Sequence, residues 1–333
     1  MKRAILGLLL AVLVIGCGQQ TQQTSTTDTP GAATPTSDAG GDRLQFAVIP
    51  KGLTHQFWLT VKKGAETAGA EFGVDIVWIG PDKETDVVQQ INIVEDMIGK
   101  GVDAIVMAAC DQDALVEVVK RASDEGLPVV TIDSGVNSDI PVSFVATDNL
   151  AGAEAAAREL AKLIGESGLV GVIPFVKGAA TSELREEGFK KGIAAFPNIQ
   201  SLDPQYCDSD VAKAMDVTED MLTAHPELKG IFATNEPAAI GAVQAVEAAG
   251  KGGEFKIVAF DASPDQITAL ERGTIHALIV QNPFKMGYMG VKSAYDSLKG
   301  QPVEKRIDTG VEVITKENLN QPEIQKLLNP LAN

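Results

Sequence analysis

The chain has only three cysteines, three histidines and 5% aromatic residues in 333 positions, and its 28 lysines and arginines are outnumbered by 45 aspartates and glutamates. Each shortage excludes something. Cys17, Cys110 and Cys207 are too few for a disulfide framework. His55, His225 and His276 form no H-E-x-x-H and no Cys/His spacing suited to zinc. A formal charge of −17 argues against nucleic acid and anionic membrane surfaces as partners. No G-x-G-x-x-G opens a helix after a strand, and there is no Walker A loop and no G-x-S-x-G elbow. Asp111/Asp113 and Asp208/Asp210 lack the rest of a calcium loop. Nothing sets a nucleophile beside a base. No cofactor and no metal are expected, and an enzyme would have to work without any of these signatures.

Long apolar runs are scarce as well, and the longest is at the N-terminus. Met1-Lys2-Arg3 precedes Ala4 to Leu13, a positive region followed by an apolar core too short to span a bilayer as a mature helix. It ends in Val14-Ile15-Gly16-Cys17, which resembles a bacterial lipobox; the resemblance implies removal of residues 1–16 and lipidation of Cys17. The alternative is a plain signal peptide or short anchor in which Cys17 is incidental. Residues 17–42 are Gln, Thr, Ser, Gly, Pro and Ala with almost no large apolar side chain, so a disordered tether is expected, reaching roughly 25–30 Å on average.

What is present from Arg43 onward is a repeat. Lys256-Ile257-Val258-Ala259-Phe260-Asp261 reads as a buried strand ending on an aspartate, with Ser263 and Pro264 opening a helix. Pro128 to Ser134 has the same design and ends on Asp133-Ser134; Asp103 to Ala108 pairs with Lys229 to Thr234, and Phe46 to Pro50 with Val170 to Pro174. Separations of about 125 residues suit two copies of one α/β domain. Strands and helices alternate throughout, which predicts two doubly wound parallel sheets. In such sheets ligands sit at the carboxyl ends of the strands.

Several side chains fall at those ends. Phe57, Val61, Ala65, Ala68 and Phe72 form one helical stripe after a cap at Thr54, so Phe57 reads as core, while Trp58 lies off the stripe, placed to cover a sugar ring. A helix is expected from about Glu84, and another from Asp113. Ser182 is expected to cap a helix whose first turn holds Arg185; a cation there calls for an anion or hydroxyl-rich ligand, or for a local pair with Glu186 or Glu187. Asn235 suits a helix cap or a site. Gln281-Asn282-Pro283 interrupts a strand in the manner of a hinge or a site.

Phe57-Trp58, Asp133, Arg185 four residues before Phe189, Ala233-Thr234-Asn235, Phe260-Asp261 and Gln281 together resemble the periplasmic sugar-binding proteins of ABC importers, of the ribose and galactose type, whose ligand domain is shared with LacI-type repressors. The resemblance implies aromatics sandwiching a sugar at Phe57 and Trp58, with Asp133, Arg185, Asn235, Asp261 and Gln281 on its hydroxyls and ring oxygen. Arg185 and Asp261 are expected to face each other across the sugar within lobe two. His55 stands where ribose binders have an asparagine, Ser134 where they have an arginine, and Ser209 where a third aromatic is usual. Lys51 and Asp133-Ser134 look like the autoinducer- and rhamnose-binding branch, which uses a lysine there; Lys51 and Ser134 join the ligand set on that likeness, and His55 by its place where ribose binders have an asparagine. A three-stranded hinge is implied, dividing the chain into lobe one, 43–147 plus 283–309, and lobe two, 150–281 plus 310–333. Also implied are an exported, lipid-anchored monomer on the periplasmic or extracytoplasmic face and delivery of a monosaccharide or polyol to an ABC permease in the inner membrane. The alternatives are an enzyme on a doubly wound fold, or a receptor feeding a sensor kinase or chemoreceptor.

Overall fold

The computed structural model describes residues 43–329, so the signal-peptide, Cys17 and tether readings lie outside the described residues. One sheet contains β1 (Gln45–Ile49), β2 (Asp75–Trp78), β3 (Ala104–Met107), β4 (Val129–Ile132), β5 (Ser143–Ala146) and, from late in the chain, β11 (Arg306–Asp308). The other contains β6 (Gly168–Ile173), β7 (Ile199–Ser201), β8 (Leu228–Ala233), β9 (Lys256–Phe260), β10 (Ala277–Val280) and β12 (Glu312–Ile314). The strand orders are β11-β5-β4-β3-β1-β2 and β12-β10-β9-β8-β6-β7, one order used twice. The fold is therefore two parallel α/β lobes, as the repeat predicts. Both faces of each sheet are buried: Phe46, Val48, Ala104 and Val106 pack on one side of the first sheet, and Ala47, Ile49, Ile105 and Met107 on the other. This two-sided burial is why the strands read as unbroken apolar runs.

The helices are α1 (Gln56–Phe72), α2 (Val87–Lys100), α3 (Val116–Asp124), α4 (Asn149–Leu163), α5 (Ala180–Ile193), α6 (Val211–Ala224), α7 (Glu236–Ala248), α8 (Pro264–Arg272), α9 (Pro283–Leu298) and α10 (Pro322–Leu328). Close pairs are made possible by missing side chains. A Cβ on Gly64 of α1 would lie 2.0 Å from the Phe284 carbonyl oxygen, and one on Gly287 of α9 the same distance from that of Val61.

Three connections pass between the sheets. The chain leaves β5 at Ala146 and enters α4, which packs on β8, β9 and β10; it leaves β10 at Val280 and enters α9, which packs on β3, β4 and β5; and β11 runs through Thr309 to Val311 into β12. One difference between the lobes follows. β11 is parallel to β5, whereas β12 is antiparallel to β10. A strand that passes straight from one sheet to the other runs with the first and against the second only if their carboxyl edges face each other, so the sheets themselves define a cleft. Thr147 Oγ1 lies 3.1 Å from Thr309 Oγ1 and donates to the Gly310 carbonyl at 3.1 Å, stitching two of the crossings.

Several helix starts differ from the sequence expectation. The N-cap of α1 is His55 rather than Thr54, and no side-chain cap bond is made there. α2 begins at Val87, not near Glu84, and α3 at Val116, not Asp113. The N-cap of α5 is Ala179, which puts Ser182 inside the helix and Arg185 in its second turn.

Candidate functional site

The carboxyl edges of both sheets converge on a cavity. Lobe one lines it with Lys51 after β1, His55, Phe57 and Trp58 at the start of α1, Glu84 from the β2–α2 loop, and Asp133 after β4. Lobe two adds Phe175 after β6, Arg185 from α5, Asn235, Glu236 and Pro237 at the start of α7, Asp261 after β9 and Gln281 after β10. Nine of the ten ligand residues named from sequence are thus brought together, the exception being Ser134, which is fully buried but does not line the cavity. Glu84, Phe175, Glu236 and Pro237 were missed. Phe175 follows Pro174 at a strand end and Pro237 lies two residues after Asn235, but Glu84 reads as one more surface charge in Pro81-Asp82-Lys83-Glu84, and Glu236 as a helix-start acid.

Asp133 and Asp261 hold matching places at the ends of β4 and β9, and both adopt positive φ, 54° and 73°. Aspartate tolerates this left-handed conformation better than most non-glycine residues, and strain of this kind collects at ligand sites. Asp261 accepts from the Gln281 amide at 2.8 Å and from the Glu236 backbone N–H at 3.0 Å. Burial pushes its carboxyl above the usual range although Arg185 pulls the other way. Lys51 Nζ lies 3.0 Å from Asp133 Oδ2, donates to Thr181 Oγ1 at 3.0 Å, and stands 4.9 Å over the Phe175 ring.

Arg185 is 2% exposed. It donates to Asn149 Oδ1 at 2.8 Å and to the Thr234 carbonyl at 2.6 Å, and its guanidinium stacks 3.9 Å over Phe260. Among the described residues no ion pair joins it to Asp261 or to Glu186 and Glu187; Glu186 instead accepts from Tyr206 at 2.6 Å. Arg185 and Asp261 both line the cavity, as the expected facing arrangement requires, and without a direct ion pair their charges act on each other through space. The helix-dipole argument for Arg185 also falls, because the dipole acts mainly over the first turn.

The aromatics reverse their expected parts. Trp58 is 1% exposed and belongs to the core, while Phe57 is half-buried at the cavity edge; their rings meet edge to face at 4.9 Å. Trp58, Val61, Ala65 and Ala68 follow the 3-4-3 spacing of a buried stripe, so shifting the stripe by one residue exchanges the two. The Trp58 indole N–H donates to Glu84 Oε1 at 2.8 Å, and His55 Nδ1 lies 3.6 Å from the same oxygen. Burial pushes the Glu84 carboxyl up, but the Lys51 charge, His55 and the Trp58 N–H outweigh it and bring it down to about 2. Asn235 serves both readings made of it: its oxygen caps α7 at the Ala238 N–H, and its amide donates to Ser209 Oγ at 2.8 Å.

Asp133 Oδ2, Ser134 Oγ, Ser182 Oγ and Gln281 Oε1 are buried without an aligned hydrogen-bond partner. Such atoms are costly unless something answers them. Asp133 Oδ2 is answered by the Lys51 ammonium at 3.0 Å, so of these atoms Gln281 Oε1 is the unanswered acceptor on a side chain that lines the cavity, where it suits a hydroxyl donor.

Residues 46–302 match the model of the periplasmic binding protein domain. The chain belongs to the periplasmic binding protein family. Relatives include the D-ribose/D-allose-binding protein of Pseudomonas aeruginosa, 36% identical over 82% of this chain and 89% of that protein, and the ribose import binding protein RbsB of Escherichia coli, 30% identical over 82% and 90%. Among solved structures, an Agrobacterium vitis ABC transporter solute binding protein with bound D-fucose is 40% identical, with a TM-score of 0.82 over 84% of this chain and 98% of that one. An Agrobacterium radiobacter carbohydrate transporter solute binding protein in complex with D-arabinose is 33% identical, with a TM-score of 0.84 over 86% and 99%. These relatives bind solutes for transporters, and this periplasmic binding protein is a binding protein, not an enzyme.

Proposed function

We propose that this periplasmic binding protein is a lipid-anchored monomer, held by Cys17, that takes a monosaccharide or related polyol between its lobes and delivers it to an ABC permease in the inner membrane. The observation that carries the reading is the cavity itself. Carboxylates, amides and an arginine from both lobes converge on it, Gln281 Oε1 among them without a hydrogen-bond partner, and aromatic rings stand at its wall. Carboxylate and amide pairs match vicinal hydroxyls, and a site built for hydroxyls rejects ligands that lack them. Asp133, Asp261, Asn235, Arg185 and Gln281 are the polar contacts in this reading, Phe57 and Trp58 the apolar ones, with Lys51 and His55 completing lobe one.

Relatives are named for ribose and allose, and solved structures hold D-fucose and D-arabinose, so these four define the first panel. A thermal-shift screen with the panel, extended to other hexoses, deoxysugars and polyols, tests the reading; a ligand at 100 times its Kd stabilises by about 2.7 kcal/mol. No stabilisation by any of them would overturn it. The anchor is tested separately, by fatty-acid labelling of wild type and Cys17→Ala, where equal labelling would count against lipidation.

A further inference from the structure

We infer that Glu84 and Glu236 form a reciprocal clasp, each lobe lending one carboxylate to donors of the other, and that this clasp sets the rate at which the cleft reopens. The inference rests on the solute-binding reading above and concerns residues that make protein contacts across the cleft. Glu236, first residue of α7 in lobe two, accepts from the backbone N–H groups of Gln56 at 3.1 Å and Phe57 at 3.0 Å, the first residues of α1 in lobe one. Glu84, in lobe one, accepts from Ser209 Oγ of lobe two at 2.7 Å.

The sequence leaves α1 without a cap of its own, since His55 at the N-cap makes no side-chain bond. The exposed N–H groups of a helix start are ordinarily capped by a nearby side chain or by water. Here the cap comes from 180 residues away in the chain, and from the other lobe. On the opposite side of the contact, Asp208 and Ser209 both adopt φ of 54°, a strained turn that presents the serine hydroxyl to Glu84. Asn235 donates to Ser209 at 2.8 Å, so the hydroxyl is held by lobe two before it reaches across. Both carboxylates are nearly buried, 5% exposed for Glu84 and 8% for Glu236. His55 stands between them, 3.6 Å from Glu84 and one residue before the first amide that Glu236 receives.

These contacts exist only when the lobes meet. They therefore stabilise the closed state without changing the approach of a ligand to the open one, and they act equally on every ligand that allows closure. Glu84 and Glu236 are positioning residues in this sense: they hold Trp58 and Phe57 at the cavity wall through the indole and the first turn of α1. A second consequence is a closed population of the receptor in the absence of sugar.

The test uses full-length protein and the fluorescence of Trp58 in stopped-flow mixing with D-ribose, D-allose, D-fucose and D-arabinose. Glu236→Ala and, as the milder variant, Ser209→Ala should each raise the release rate by about 5- to 30-fold, the range expected for a lost cap or shared hydrogen bond, while association changes less than about twofold. Glu236→Gln, which keeps one acceptor oxygen, should fall between. The factor should be the same for every sugar that binds. Unchanged release, or a factor that varies several-fold among the sugars, would overturn the clasp, the latter by making these groups ligand contacts. Amide exchange at Gln56 and Phe57 supplies the ligand-free readout, slower in wild type than in Glu236→Ala; equal rates would also overturn it. If no sugar bound wild type at all, the solute reading would fail while the exchange comparison still decided on the clasp.

Discussion

Glu84 shows most clearly how much a single side chain can depend on partners that its own neighbourhood in the sequence does not announce. Its carboxyl titrates near 2, against an ordinary 4.5. A carboxylate depressed in this way adds stability that is present above 4.5 and is lost as the pH falls through about 2. That interval corresponds to on the order of 3 kcal/mol, a figure shared with His55 because one contact serves both. His55 is raised from 6.5: burial lowers it, and Glu84, Glu236 and Asp261 together raise it further. Its own contribution is fully present below 6.5 and fades as the pH rises through the elevated value. Urea unfolding of wild type and Glu84→Gln across the acid range should therefore show a stability gap near neutrality that closes toward about pH 2, and a smaller alkaline loss in the variant than in wild type. A gap that stayed constant from neutral to strongly acid pH would remove the buried ion cluster from the account. Asp133, Asn235, Asp261 and Gln281 were legible because strand ends and caps are local features, whereas Lys51 and Arg185 rested on the family resemblance. Glu84 and Glu236 were not, because Glu84 gathers His55, Trp58 and Ser209 from distant segments and Glu236 takes its donors from the other lobe.

At the scale of elements, the strands are readable, whereas helix starts are readable where a side chain caps locally, as Ser263 does for α8 and Asn235 for α7, and are not elsewhere. β4 and β9 are apolar runs buried on both faces and closed by an aspartate, and burial of that kind is written in composition. A helix start is decided by a few tenths to about 2 kcal/mol of capping, which tertiary contacts override easily. Thus Thr54 yields to His55, capped in trans, and Ser182 is drawn inside α5, where Arg185 can reach Asn149 and Thr234. Helix pairing was equally hidden, since the glycines that permit it look like weak points in the helices. Gly64→Ala or Gly287→Ala would push a methyl to 2.0 Å from a backbone carbonyl and should cost at least about 2 kcal/mol as α1 and α9 separate. Gly99 in α2 is the control, because a Cβ there meets nothing. Gly99→Ala should be neutral or stabilise by up to about 1 kcal/mol, from helix propensity alone. Thermal melts of the three variants check the ordering, and equal shifts would mean that the α1–α9 approach is looser than the coordinates place it.

For the molecule as a whole, the question is what the three crossings do when the lobes part. Two of them are joined through Thr147, whose hydroxyl lies 3.1 Å from that of Thr309 and donates to Gly310, a residue at φ 84°. Arg306 adds a bond to the Thr147 carbonyl at 3.0 Å. None of these residues lines the cavity, so if the contacts change as the lobes part, they bias the open–closed equilibrium without touching a ligand. The receptor's apparent affinity is its intrinsic affinity scaled by the fraction of molecules able to close. Thr147→Val keeps the shape of the side chain and removes the hydroxyl, which leaves a neighbouring hydroxyl and carbonyl less well satisfied at a cost of about 1 kcal/mol or more. If the lobes rotate about these crossings, the variant should weaken every sugar of the panel by one common factor of about 5 to 10, and calorimetry reads that factor directly. Small-angle scattering should show the radius of gyration falling when saturating sugar is added to wild type, and Thr147→Val should need more sugar to reach the same compact value. Affinity losses that differ among the sugars would place Thr147 in ligand selection instead of closure. A radius of gyration that did not change with sugar in either protein would show that the lobes hold one arrangement, and that the hydrogen bonds across the cleft are permanent structure instead of a latch.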